Sequence, residues 1–174
     1  MIVLDDWQRE ILECKTHILL ASGRQVGKSQ IFSIKAVYEM LEAPTRIIVT
    51  SLTEDQAKLI IIMVQDYIQK MGQSHQLCKG DKKPTQNKVE LKNGSWIIAR
   101  PVGNTGDALR GFTADVLFLD EVGRYSELII TAARPTLATT GGRIWMASTF
   151  NAKQGFFWEM FSKNPNGRFK IWHK

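Results

Sequence analysis

Eight residues, Ser22-Gly23-Arg24-Gln25-Val26-Gly27-Lys28-Ser29, limit what this chain can become more than any other stretch. An apolar run, His17-Ile18-Leu19-Leu20-Ala21, precedes them, and a helical pattern with apolar residues at Ile31, Ile34, Tyr38 and Leu41 follows. A strand, a glycine-containing loop and a helix in that order make a phosphate-binding P-loop. Backbone N–H groups of such a loop surround a β-phosphate, and the positive end of the helix dipole faces the anion. Lys28 is positioned to reach the β- and γ-phosphates, and the Ser29 hydroxyl to ligate Mg2+. The loop departs from G-x-x-x-x-G-K-[ST] at its first position, where Ser22 stands, with a glycine one place later. The expected ligand is a nucleoside triphosphate.

Strands and helices alternate beyond the loop, which implies an α/β fold with a mainly parallel central sheet and helices on both faces. Arg46-Ile47-Ile48-Val49-Thr50-Ser51 is a continuous apolar run of the buried-strand type. Thr53-Glu54-Asp55-Gln56 predicts a capping box, Thr53 and Gln56 satisfying each other's backbone N–H groups. The helix it opens repeats apolar residues at Ala57, Ile60, Ile61, Val64, Tyr67, Ile68 and Met71, and Gly72 is its expected stop. Residues 73–87, with Lys79, Lys82 and Lys83, read as an exposed loop, either solvated or touching a phosphate backbone. Asn93-Gly94 predicts a two-residue turn in a β-hairpin near residues 88–100, with Leu91 facing Trp96 and Val89 facing Ile98. Asp115–Leu119 and Arg143–Ala147 are further strand candidates, followed by a last one at Phe169–Trp172. Helical stretches are expected near Ser126–Leu137, broken by Pro135, and at Gly155–Phe161.

At 174 residues the chain suits one domain, and 44% hydrophobic with 23% charged residues is ordinary for a globular fold. No apolar run approaches the roughly 20 residues that span a bilayer, so no membrane segment is expected. Met1–Arg9 has no signal-peptide pattern, and Cys14 and Cys78 have neither metal nor redox spacing, so they read as reduced intracellular thiols. The net charge of +6 favours polyanionic partners without identifying one.

Val116-Leu117-Phe118-Leu119-Asp120-Glu121 has the form of a Walker B strand. Burial is expected to bring it beside the strand of the loop, with Asp120 near Mg2+ and Glu121 polarising the attacking water. Ser148-Thr149 ends the next strand, where hydroxyls can contact the γ-phosphate or Glu121, or simply cap the following segment. Arg24 lies within the loop, close to a γ-phosphate. Arg110, on a glycine-flanked loop, is a candidate arginine finger. Trp7-Gln8 either packs on and hydrogen-bonds an adenine or is a core tryptophan beside a solvated glutamine.

Three features together resemble the ATPase domain of a large terminase, the DNA-packaging motor of tailed viruses. They are Gly23–Ser29 with its internal arginine, Leu109-Arg110-Gly111-Phe112-Thr113-Ala114-Asp115 running into Leu119-Asp120-Glu121, and Ser148-Thr149. The resemblance covers nearly the whole chain. It implies a RecA-like P-loop NTPase fold of the ASCE type, hydrolysing ATP with Mg2+ to move double-stranded DNA into a procapsid. Ser22, Gly23, Arg24, Gln25, Val26, Gly27, Lys28 and Ser29 would bind nucleotide, with Trp7 and Gln8 at the adenine. Ser29 and Asp120 would hold the metal, and Ser148 and Thr149 would couple nucleotide state to motion. Arg24 becomes a γ-phosphate sensor, Arg110 a finger acting in a neighbouring subunit, and Glu121 the carboxylate that activates water.

The implied partners are DNA, a portal protein and a small terminase subunit. The implied assembly is a homo-oligomeric ring, the isolated domain being a monomer. The implied location is the host cytoplasm and, transiently, the procapsid portal vertex. Phe150 stands where the family often has proline. Residues 1–174 are expected to be one ATPase core without the lid subdomain or nuclease domain, an excised domain or a split gene product that does not cut DNA. Two other functions remain open on the motifs: a helicase-type translocase and a non-hydrolysing, nucleotide-dependent assembly module. Val122-Gly123 after Asp120-Glu121 differs from a helicase box.

Overall fold

The computed structural model describes residues 3–103, 106–149 and 154–174. One seven-stranded sheet organises them, in the order β3-β4-β2-β5-β6-β1-β7. Its strands are β1 (His17–Ala21), β2 (Arg46–Ser51), β3 (Lys88–Glu90), β4 (Trp96–Pro101), β5 (Val116–Asp120), β6 (Arg143–Ser148) and β7 (Phe169–His173). All neighbours are parallel except β3, which runs antiparallel to β4. Strands buried on both faces need apolar residues at every position, which is why β1, β2 and β5 read as unbroken apolar runs.

Alternate residues of these strands feed two cores. Ile18, Leu20, Ile47, Val49, Val116, Phe118 and Trp145 face helices α1 (Asp6–Glu13), α2 (Lys28–Glu42) and α3 (Glu54–Lys70). Leu19, Ala21, Ile48, Leu117, Leu119 and Met146 face α4 (Glu127–Ala133) and α5 (Gly155–Lys163). At the centre of the first core Phe32 packs against Phe118 and Trp145, with ring centroids 4.6 and 5.8 Å away.

Four expectations change. β5 does not lie beside β1, because β6 is inserted between them and pairs with both. Two inter-strand spacings then separate the loop from Asp120, roughly 10 Å. The expected apolar stripe of α2 also fails at Tyr38, which is 51% exposed, and Leu41 is only partly buried. Packed between the sheet, α1 and α3, this helix is instead buried through Ile31, Phe32, Ile34, Val37 and Met40. The hairpin register is one residue off, with Val89 opposite Ile97 and Glu90 opposite Trp96. The Asn93 side chain donates to Met40 O (2.7 Å) and accepts from Ser95 N (2.9 Å), tying the turn to the end of α2. Gly94, at φ +92°, then closes a three-residue loop of the bulged type. Finally, Thr53 caps α3 as expected, but the Gln56 side chain accepts from Ser51 Oγ (2.9 Å).

The end of the sheet opposite the loop holds a buried charge network. Lys35 is fully buried, and its ammonium donates to Leu12 O, Cys14 O and Glu39 Oε1 at 2.9, 2.7 and 3.2 Å. Arg143 donates twice to Glu39, at 3.2 and 2.9 Å. Burial pushes the Lys35 pKa down despite Glu39. Burial also pulls Glu39 upward, but the Arg143 hydrogen bonds and the Lys35 charge outweigh it and hold the carboxyl below its ordinary value. The network joins α1, α2 and β6. Glu39→Ala is expected to cost about 3–5 kcal/mol by leaving two cations facing each other in the core. Equilibrium urea unfolding measures this, and a loss below about 1 kcal/mol would show that the network is not stabilising.

Candidate functional site

The loop leaves β1 at its C-terminal end. Ser22 is still sheet-like: its N–H donates to Ser148 O on β6 (3.1 Å), and neither Ser22 nor Gly23 has a positive φ. The backbone therefore makes no demand for glycine at position 22. Positive φ falls instead at Gln25 (59°) and Gly27 (88°), the latter immediately before α2. Glycine takes that conformation without strain, whereas a non-glycine residue in it is characteristic of functional loops. Lys28 is 8% exposed, and its ammonium donates to Gly23 O (3.0 Å) across the loop. Ser29 lies in the first turn of α2, partly buried.

Across the inserted strand, Asp120 ends β5 and Glu121 follows it in a left-handed conformation, φ 53° and ψ 36°. This reverses the chain at the sheet edge and sets Glu121 Oε1 4.0 Å from Lys28 Nζ. The Ser148 hydroxyl lies between the two motifs. It accepts from Gly123 N (3.1 Å), and its single proton faces both Thr149 O (3.0 Å) and Glu121 Oε2 (3.4 Å). Thr149 Oγ1 makes a second long contact to Glu121 Oε2, at 3.5 Å. Phe150 lies outside the described residues.

Asp120 is buried, and its Oδ1 has no hydrogen-bond partner among the described residues. Burial, reinforced by the Glu121 charge and only partly opposed by Lys28, pushes its pKa up to about 7. An orphaned buried carboxylate oxygen of this kind fits a missing cation. No cluster of three or more His, Cys, Asp or Glu side chains able to hold a metal occurs among the described residues. A hard cation that takes one carboxylate, one hydroxyl, water and phosphate oxygens matches Ser29 and Asp120; that is how Mg2+ is usually held.

A cavity of about 480 Å3 opens between the loop and the Glu121 turn. Arg24, Gln25, Val26, Gly27, Lys28, Ser29, Glu121 and Thr149 line it, so most of the sequence candidates converge there. Gln8 is buried behind the loop, its amide nitrogen 3.3 Å from where a Cβ on Gly27 would stand, while its Oε1 accepts from Asp5 N (3.0 Å). Trp7 packs against the first core. Arg110 is not in this cavity; it lines a separate one of about 830 Å3 with Phe112, Leu128 and Pro135.

Four residues near the site were not among the sequence candidates for it. Gln56 and Arg124 line the cavity. Tyr125, 8% exposed, shares a 3.1 Å hydrogen bond with Thr50 and so fastens the Glu121 turn to β2. Burial raises the Tyr125 pKa, so the phenol stays neutral. Gly123 is required by space: a Cβ there would stand 2.8 Å from Ser148 Oγ and 3.2 Å from Thr149 O. A glycine two residues beyond a strand-end acidic pair was the one legible signal among the four.

Residues 6–156 match the sequence family described as terminase large subunit, ATPase domain. Among solved structures, the large-terminase ATPase domain of Thermus phage P74-26 is 22% identical, with a TM-score of 0.79 over 98% of this chain and 80% of that one. The large terminase of the thermophilic bacteriophage D6E in complex with ADP is 14% identical, with a TM-score of 0.79 over 98% of this chain and 45% of that one. The HK97 bacteriophage large terminase is 16% identical, with a TM-score of 0.76 over 99% of this chain and 39% of that one. At such identities the shared property is the RecA-like fold. The chain spans most of the P74-26 ATPase domain and under half of the D6E and HK97 chains. No curated protein matches it in sequence.

The contact at Gly123 is open to direct test. Gly123→Ala is expected to destabilise the fold by about 1–3 kcal/mol through overpacking against Ser148. The Gly123→Ala/Ser148→Ala double variant should lose less than the sum of the single losses, since the Oγ it collides with is gone. Thermal unfolding of the four proteins of this cycle measures both; strict additivity would mean that Gly123 and Ser148 do not touch.

Proposed function

This chain belongs to the family of terminase large-subunit ATPase domains, whose function is ATP-driven packaging of viral DNA; for how its residues perform it, we propose that the cavity between the loop and the Glu121 turn is the Mg2+-ATP site. The observation that carries this is the convergence of Lys28, Glu121 and the orphaned Asp120 oxygen at one edge of the sheet. Backbone N–H groups of Gly23–Ser29 would cradle the phosphates, with Lys28 exchanging its bond to Gly23 O for phosphate oxygens. Gln8, behind Gly27, and Trp7 would lie towards the adenine.

Ser29 and Asp120 would hold Mg2+. When bound, the ion neutralises charge on the phosphate oxygens. Glu121 has the exposure a water-activating carboxylate needs, since its side chain keeps 24% of its accessible surface while Lys28 stays within 4.0 Å. Its left-handed backbone and its contacts to Ser148 and Thr149 would hold the carboxylate towards the terminal phosphate and pass a change there into β6. Arg24 would meet the γ-phosphate from the loop side.

Arg110 would serve a neighbouring copy, because within one copy it lines a different cavity. This makes the ring assembly, with double-stranded DNA, portal protein and small terminase as partners, part of the same proposal. No helix among the described residues is long and apolar enough to cross a membrane.

Glu121→Gln is expected to retain ATP but slow its single-turnover cleavage by about 10²–10⁴-fold. Phosphate release within a few-fold of the unsubstituted chain would remove Glu121 from the catalytic role. Mixing Arg110→Ala with Glu121→Gln subunits in the assembled packaging motor should restore turnover at interfaces that pair an intact Glu121 with a neighbour's intact Arg110. An intact mixed ring with no recovered activity would exclude a shared site.

A further inference from the structure

Arg124 has no role in the reading above, yet its backbone belongs to a well-anchored turn beside the cavity. It ends the single 3-10 turn Val122–Arg124 that follows Glu121. Four hydrogen bonds hold that turn: Arg124 N to Glu121 O (3.0 Å), Tyr125 N to Val122 O (3.0 Å), Gly123 N to Ser148 Oγ (3.1 Å) and Tyr125 Oη with Thr50 Oγ1 (3.1 Å). The residues on either side of it in the chain differ in burial: Tyr125 is 8% exposed and anchored in the second core, whereas Gly123 is pressed against β6. The Arg124 side chain alone leaves this anchored turn for the cavity that Lys28, Arg24, Glu121 and Thr149 line.

Among the described residues its guanidinium has neither an ion-pair nor a hydrogen-bond partner, although Glu121 lines the same cavity. The cavity walls carry three cations, Arg24, Lys28 and Arg124, against the one carboxylate of Glu121. Arg24 and Lys28 approach from the loop, the side on which backbone N–H groups would serve the inner phosphates. Arg124 approaches from the opposite wall, three residues beyond Glu121. A guanidinium presents a planar fork of donors that suits two oxygens of one phosphate group.

We propose that Arg124 binds the terminal phosphate of ATP within its own subunit and makes the Glu121 turn respond to the presence of that phosphate. The inference rests on the nucleotide reading of the cavity and deepens it. The group Arg124 would contact is the one lost on going from ATP to ADP. Its turn is fastened through Gly123 to Ser148, so release of Arg124 would alter the grip of the turn on β6. Differential contact of this sort is what lets a ligand shift a conformational equilibrium.

Competition binding of ATPγS and of ADP against a fluorescent ADP analogue, on the chain as it stands, tests this. Arg124→Ala should weaken ATPγS about tenfold or more and leave ADP within about twofold, with Arg124→Lys recovering part of the loss. Because the side chain is exposed, its removal should leave the thermal midpoint almost unchanged. Lys28→Ala run alongside should abolish binding of both nucleotides. Equal losses for ATPγS and ADP in Arg124→Ala, or no loss for either, with Lys28→Ala inactive in binding, would overturn the Arg124 assignment alone. Unchanged binding in Lys28→Ala would overturn the nucleotide reading and the inference with it.

Discussion

Ser148 joins the two halves of the candidate site with two different atoms. Its carbonyl oxygen takes the N–H of Ser22, which starts the phosphate loop, and its hydroxyl takes the N–H of Gly123, behind Glu121. Those bonds are 3.1 Å each, and they exist only because β6 runs between β1 and β5. With the strands adjacent, Asp120 and the loop would be a single strand spacing apart, leaving less room between them for a triphosphate and its metal. The inserted strand sets the width of the site, and its last residue fixes both walls to one another. Gly123 follows from this arrangement, since a side chain there would occupy the space of the Ser148 hydroxyl.

The two ends of the sheet treat buried charge in opposite ways. At the end away from the loop, Lys35, Glu39 and Arg143 satisfy one another within the protein. That network ties helices to strands and requires nothing from outside. At the loop end Asp120 keeps an oxygen with no partner among the described residues, and Lys28 donates to a backbone carbonyl with Glu121 4.0 Å away. An uncompensated buried carboxyl raises its pKa and costs stability. Such a cost is relieved where a ligand binds, so the contrast between the ends fits a scaffold at one end and the proposed site at the other.

Much of this was legible in the chain because the signals are local. Continuous apolar runs mark buried parallel strands, and Gly27-Lys28-Ser29 at a strand-to-helix junction marks the loop. What the sequence hid was set by long-range contacts. The place of β6 depends on pairing with strands far away in the chain. Asn93 and Gly94 do form a turn, but Met40 O captures the Asn93 amide and the register shifts by one. Tyr38 fits a helical stripe, yet α2 is enclosed on the other sides and its exposed strip falls there. Gln56 has the spacing of a capping box, but Ser51 Oγ donates to its side chain. Arg124 and Tyr125 had no spacing to reveal them; only the folded turn shows that one is anchored so that the other faces the cavity.

The distribution of cations separates binding from catalysis on the proposed assignment. Arg24, Lys28 and Arg124 line one cavity, where they would surround the phosphates within one copy while Asp120 and Ser29 would hold the metal. The ground state of Mg2+-ATP would then need no charge from a neighbour. Arg110 lines another cavity, so on this assignment its charge would reach a site only where two copies meet. A cation supplied that late adds little to affinity, because the phosphates are already neutralised when it arrives. It would act instead on the charge that develops as the terminal phosphoryl group leaves, where one well-placed donor has its largest effect. An arrangement with three cations in one copy and a fourth from the next would let each subunit hold ATP until its neighbour completes the site.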